Sequence, residues 1–193
     1  MHATIDRDIQ YRAQQIIDDS VNRYSAQWGA IVVQEIGTGR LLAVADSGAV
    51  DPGNYQATPP DQRGSRAIQS TFEPGSTGKV PTFAAALDTG AVTPTTSFRT
   101  PDQLTTASGQ TFSDADEHPT EQLTVAGILA TSSNTGTVQI GDRMSDEERY
   151  EYLRAFGFGQ RTGVEMPGET PGILAPPDRW DGRQRYTTMF GQG

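Results

Sequence analysis

The run Glu73-Pro74-Gly75-Ser76-Thr77-Gly78-Lys79 stands directly before a helical pattern of Val80, Phe83, Ala84 and Leu87, which Gly90 stops after Asp88. Pro74 and Gly75 predict a tight lead-in, with Ser76 in the first turn of the helix and Lys79 on the same face three residues later. A serine hydroxyl is a poor nucleophile until a base takes its proton, and a desolvated lysine amine within reach supplies that base. The helix N-terminus adds a positive field and unpaired amides, which lower an amine's pKa and stabilise negative charge on an acyl oxygen. Ser-x-x-Lys is common by chance, so a count adds weight: the chain has 15 basic residues, and every one but Lys79 is arginine. Arginine keeps its proton in a protein, whereas a lysine amine can lose it. Compositional bias is the competing explanation of that count. Gly78-Lys79 is also half of a phosphate-binding loop, but Glu73 stands where that loop needs glycine and Val80 where it needs Ser or Thr, so nucleotide binding is not expected.

Farther along, Leu123, Val125, Ala126, Ile128 and Leu129 predict a buried helix that runs into Thr131-Ser132-Ser133-Asn134. Ser132 can both accept and donate, so it is a candidate relay for a proton between Lys79 and a leaving amine, while the Asn134 amide can hold a peptide carbonyl. The ordinary occupation of such a cluster is to end one helix and begin the next. His118, in Asp116-Glu117-His118-Pro119, has no Gly-x-Ser-x-Gly elbow to serve and reads as a solvated loop histidine. His2 is the one other histidine, and with no cysteine the chain offers no disulfide, no thiolate nucleophile and little for a metal cluster.

Around these motifs, Ile5 to Tyr24 predicts an amphipathic helix through Ile5, Ile9, Ala13, Ile16 and Ile17. Two apolar runs, 30–33 and 41–45, joined through Gly37-Thr38-Gly39, predict a hairpin whose strands are covered on both faces. Residues 47–65 form a long connection, with a subdomain boundary there, and 93–119 read as loops with short strands. Val138 to Met144 predicts a helix. Ser145-Asp146-Glu147-Glu148 is a capping box opening another, which ends near Phe156. From Gly157 onward, recurring Gly and Pro predict an extended wrap rather than a core element. A net charge of −9 without a basic run excludes a phosphate-tracking nucleic-acid surface, and no apolar stretch reaches the length of a membrane span.

Ser76-Thr77-Gly78-Lys79 and, farther on, Ser132-Ser133-Asn134 resemble the first two active-site motifs of the penicillin-binding proteins, acyl-serine transferases that cross-link peptidoglycan. Thr4 to Gln10, Phe72-Glu73-Pro74-Gly75-Ser76, Phe156-Gly157-Phe158-Gly159 with Thr162-Gly163, and Pro167-Gly168-Glu169 resemble the class B, transpeptidase-only group, including its septal cell-division enzymes. The resemblance implies an α+β fold: a transpeptidase domain, here partial, with 1–46 as helix and hairpin of the α/β subdomain, 47–65 as connection and 66–193 as a mainly helical active-site subdomain. It makes Ser76 the acylated nucleophile, Lys79 its base, Ser132 the proton shuttle and Asn134 the residue positioning the donor peptide.

The resemblance also implies peptidoglycan stem peptides as substrates, β-lactams as covalent inhibitors and no metal or cofactor. The parent would act outside the cytoplasmic membrane, anchored by a helix absent here, beside a glycosyltransferase and division or elongation proteins. A D,D-carboxypeptidase, a β-lactamase relative, a β-lactam sensor and a division scaffold are the alternatives. The family's third motif, Lys-Thr-Gly or Lys-Ser-Gly on a sheet strand, does not occur in the sequence, nor do strands to flank the hairpin. Residues 1–193 alone are therefore expected to acylate weakly and to protect the hairpin poorly.

Overall fold

The computed structural model describes residues 3–193, so His2 lies outside it. The chain divides into two compact units, one running to Thr71 and including Gly163–Thr170, the other comprising Phe72–Thr162 and Pro171–Gly193.

In the first unit, helix α1 (Arg7–Tyr24) starts where Asp6 accepts from Asp8 N and Ile9 N, satisfying two of the amides a helix leaves unpaired. Strands β1 (Ala30–Gln34) and β2 (Leu41–Asp46) form an antiparallel hairpin with Val32 opposite Val44. Ala13 and Ile17 of the helix bury against Ala43 and Ala45. Gln10 fixes the register of helix on strand, its Oε1 accepting from Val44 N at 2.8 Å and its Nε2 donating to Val44 O at 2.9 Å. The expectation of strands covered on both faces does not hold among the described residues: α1 covers one face, and Val32 on the other is 50% exposed. Nor do Ile5, Ile9 and Ile16 join the buried stripe, because a two-stranded sheet is only wide enough to cover the Ala13–Ile17 line. The connection after β2 makes two 3₁₀ turns, Pro52–Ala57 and Pro60–Gln62, before the short α2 (Arg66–Gln69). There Thr170 N donates to Ile68 O, bringing in the Gly163–Thr170 segment.

The second unit is built on α3 (Lys79–Asp88). Pairs β3 (Ser97–Thr100) with β6 (Glu121–Thr124) and β4 (Gln103–Thr105) with β5 (Thr111–Ser113) accompany α4 (Val125–Thr131), α5 (Asn134–Gly141) and α6 (Asp146–Ala155). Phe83, Ala86, Val92, Phe98, Val125, Ile128, Ile140 and Met144 form one core. The capping box of α6 is present in both directions, Ser145 to Glu148 and back.

Several expectations shift here. The buried face of α3 is not Val80, Ala84 and Leu87 but Lys79, Thr82, Phe83 and Ala86, one residue round. Thr82 enters because its hydroxyl donates to Met189 O at 2.8 Å, so a polar residue pays no desolvation cost there. Leu123 pairs with Phe98 in the β3–β6 ladder instead of joining a helix, because Thr124 caps Gly127 N and α4 begins only at Val125. Leu129 is 44% exposed. Helix α5 starts at Asn134, four residues before the expected Val138, because Ser133 caps it. The expected terminal wrap ends in a core element: α7 (Gln184–Thr187) and a 3₁₀ turn, Thr188–Phe190, bury Tyr186, Met189 and Phe190 against Phe112 and Val138.

Candidate active site

Ser76 and Lys79 lie where a 3₁₀ turn, Gly75–Gly78, passes into α3, so Ser76 precedes the α-helix proper. Residues i and i+3 eclipse in a 3₁₀ turn, which keeps both on one edge. Among the described residues no side chain caps this turn; it is held by the backbone at Gly191. Gly75 N donates to Gly191 O at 2.9 Å, and a Cβ on Gly78 would lie 2.6 Å from Gly191 Cα. Gly191 has φ +77°, and a Cβ there would lie 2.1 Å from Gly75 O, so the two backbones meet at a distance only glycine permits. The turn is rigid while Ser76 itself remains exposed.

Lys79 is 1% exposed. Its Nζ donates to the carbonyl of Ser132, and to Ser132 Oγ at 3.0 Å. Burial lowers its pKa from the usual lysine value, and the negative charge of Asp114 opposes that shift in part. Among the described residues no hydrogen bond joins Lys79 Nζ to Ser76 Oγ. Ser132, exposed at the end of α4, has φ 58° and ψ 34°, a left-handed conformation that costs a non-glycine residue about 1–3 kcal/mol. That twist turns its carbonyl and hydroxyl together onto the lysine.

Ser133 is 3% exposed and fully engaged: Oγ accepts from Gly136 N at 2.9 Å, and its carbonyl accepts from Thr137 Oγ1 at 2.6 Å. It performs the helix-capping role, which leaves Ser132 free for another. Asn134 donates from Nδ2 to Ser113 O at 3.0 Å, fixing the amide at the start of α5.

Sequence reasoning missed Asp114. Its carboxylate accepts from Asn134 N at 2.5 Å and Thr135 N at 2.9 Å. Burial alone would raise its pKa, but hydrogen bonds from Thr135, Ser133, His118 and Asn134 outweigh it and hold the group below the ordinary carboxylate range. No local pattern singles it out, since Asp114 and Asp116 look equivalent in the loop. His118 is not the solvated residue expected: Nδ1 faces Pro119 O at 2.8 Å and Nε2 faces Asp114 Oδ2 at 3.0 Å. Both partners only accept, so both ring nitrogens must donate, which is the imidazolium form. The Pro119 carbonyl and then Asp114 raise its pKa accordingly.

The chemistry available to this set, an exposed serine on a rigid turn, a buried lysine and a serine linking the lysine to a second helix, is acyl transfer through a serine ester. Residues 29–193 match the family model described as the penicillin-binding protein transpeptidase domain. The chain belongs to that family, in its class B group, and the α+β fold expected is the fold found. Penicillin-binding protein PbpB of Mycolicibacterium smegmatis is 38% identical over 98% of this chain and 29% of its own length. Peptidoglycan D,D-transpeptidase FtsI of Escherichia coli is 30% identical over 98% of this chain and 32% of its own. A crystal structure of penicillin-binding protein 3 from Mycobacterium tuberculosis complexed with ampicillin superposes with a TM-score of 0.90 at 36% identity, covering 98% of this chain and 42% of that one. The chain thus spans about three tenths of the length of these curated relatives.

Proposed function

We propose that this chain carries the acylation centre of a D,D-transpeptidase. Neutral Lys79 has two N–H donors, both directed at Ser132, so its lone pair is the one position left to accept a proton. In the forward step Ser76 Oγ gives its proton to Lys79 and bonds to the carbonyl carbon of a D-Ala-D-Ala peptide bond. The Ser76 N–H, in a turn with no side-chain cap, is placed to stabilise the oxyanion. The C–N bond then breaks, and the departing D-alanine amine takes the proton from Lys79 through Ser132 Oγ. An amine of a second stem peptide attacks the ester and passes its proton back along the same route, which frees Ser76. Asn134 positions the donor peptide. β-Lactams acylate Ser76 in place of the peptide, in keeping with the ampicillin complex of the relative.

The single observation that carries this reading is the burial of Lys79 with its amine held by Ser132. Stem peptides place the reaction outside the cytoplasmic membrane. A transpeptidase without glycan-polymerising activity depends on a membrane glycosyltransferase and the division or elongation proteins that recruit it. Among the described residues no helix is long and apolar enough to cross a membrane. The test supplies the full-length protein carrying this sequence with a D-Ala-D-Ala peptide and a D-amino-acid acceptor. Release of D-alanine matched by new amide supports transpeptidation, release with water alone makes the protein a carboxypeptidase, and acylation without release makes it a sensor.

A further inference from the structure

Asp114 is the group in this site that no motif pointed to, and several partners converge on its carboxylate. Oδ1 accepts from Asn134 N at 2.5 Å and Thr135 N at 2.9 Å, and Oδ2 faces His118 Nε2 at 3.0 Å, with the side chain 9% exposed. Asn134 and Thr135 are the first residues of α5, whose amides have no partner inside the helix. Together with the Ser133 cap, the carboxylate closes the turn from both sides. Ser132 stands immediately before this turn in its left-handed conformation, and such a conformation persists only where the surroundings impose it. The conformation so imposed is the one that aims two Ser132 oxygens at Lys79.

We propose that Asp114 is a positioning residue for the Ser132–Lys79 pair: its carboxylate clamps the turn that holds Ser132 in place against the buried lysine amine. The proposal rests on Lys79 being the base of the reaction. A simple cap would need only an acceptor oxygen, which an amide also provides, so charge is what separates the two roles. The charged groups around Asp114 are Lys79 from α3 and His118 from its own loop, with Glu121 of β6 acting on His118. The charge of Asp114 opposes in part the effect of burial on the lysine amine.

In the full-length protein carrying this sequence, labelled with ¹³C,¹⁵N-lysine, the Lys79 side-chain resonance is the one missing from Lys79→Arg, and its pH titration belongs to that residue. Asp114→Asn keeps an oxygen for the Asn134 and Thr135 amides and removes the charge. The proton affinity of Lys79 should then fall by about tenfold or more, since an opposite charge nearby favours the charged form by that order. Asp114→Glu, which keeps the anion, should leave it within about threefold of wild type on the same ground. An Asp114→Asn protein that protects the Asn134 and Thr135 amides yet titrates like wild type would overturn the proposal. Where Asp114→Asn fails to hold the turn, Asp114→Glu and Asp114→Gln are compared: Lys79 midpoints about tenfold or more apart support the proposal, and equal midpoints overturn it. The titration uses no penicillin, so failure of the acylation assignment would be seen separately.

Discussion

Two serine-bearing turns lie at helix starts in the second unit, and they are built in opposite ways. The Gly75–Gly78 turn has no side-chain cap, is pinned by backbone against Gly191, and leaves Ser76 exposed with no partner for its hydroxyl among the described residues. At the Ser132–Thr135 turn Ser133 caps Gly136, Asp114 takes two amides, Thr137 bonds back to Ser133 and Ser132 holds Lys79. Ser133, buried on its helix cap, is closed to a substrate, whereas Ser76 lies open to one. In the proposed function this difference divides the labour: one turn presents the reacting group, and the other holds the base.

The comparison breaks most visibly at Lys79, the residue both turns share. Lys79→Arg in the full-length protein keeps the charge but cannot take the serine proton, so penicillin acylation should fall by about 10²- to 10⁴-fold. Stopped-flow acylation within tenfold of wild type would make Lys79 a fixed cation and dissolve the division. With wild type, the acylation rate should rise with pH as it climbs through the depressed Lys79 pKa, below 10.5, because only the neutral amine accepts a proton.

At the presenting turn, a Cβ on Gly191 would meet Gly75 O at 2.1 Å with φ at +77°, so Gly191→Ala should cost about 2–4 kcal/mol in urea unfolding. Gly182→Ala, with nothing near its Cβ, should stay within about 0.5 kcal/mol. Equal effects would show that the Gly75–Gly191 contact does not support the turn.

At the holding turn the effects should separate by residue. Ser133→Ala removes the α5 cap and should cost about 1 kcal/mol of stability. Ser132→Ala should slow acylation while leaving the melting temperature nearly unchanged, and the reverse pattern would exchange their roles. Smallest of all is the acid effect. The folded pKa of Asp114 lies below its unfolded value, so its contribution is fully present above about pH 4 and is lost as the pH falls through the folded value. Amide exchange at Asn134 and Thr135 should quicken over that range in wild type and not in Asp114→Asn.

What could be read from sequence was what is local. The capping box at Ser145 and Glu148 is complete within four residues, and the 3.6 and hairpin patterns of α1, β1 and β2 lie within single elements. Long-range satisfaction of polar groups was not legible. Hydropathy put Val80 and Leu87 inside and said nothing of Thr82, whose burial depends on the Met189 carbonyl far along the chain. The Gly and Pro of the last segment read as an extended wrap because nothing local announces that Tyr186, Met189 and Phe190 have Phe112 to meet. Ser76 and Lys79 were visible through spacing and the lysine count. Asp114 was not, since its role exists only once β5 and α5 are brought together.

The central claim is that the uncommitted serine, not the committed ones, carries the acyl group. Its direct test is to react the full-length protein carrying this sequence with a penicillin, digest it and locate the added mass by tandem mass spectrometry. A single adduct is expected on the peptide containing Ser76, lost in Ser76→Ala and retained in Ser132→Ala at a reduced rate. An adduct on Ser132 or Ser133, or undiminished labelling of Ser76→Ala, would contradict it.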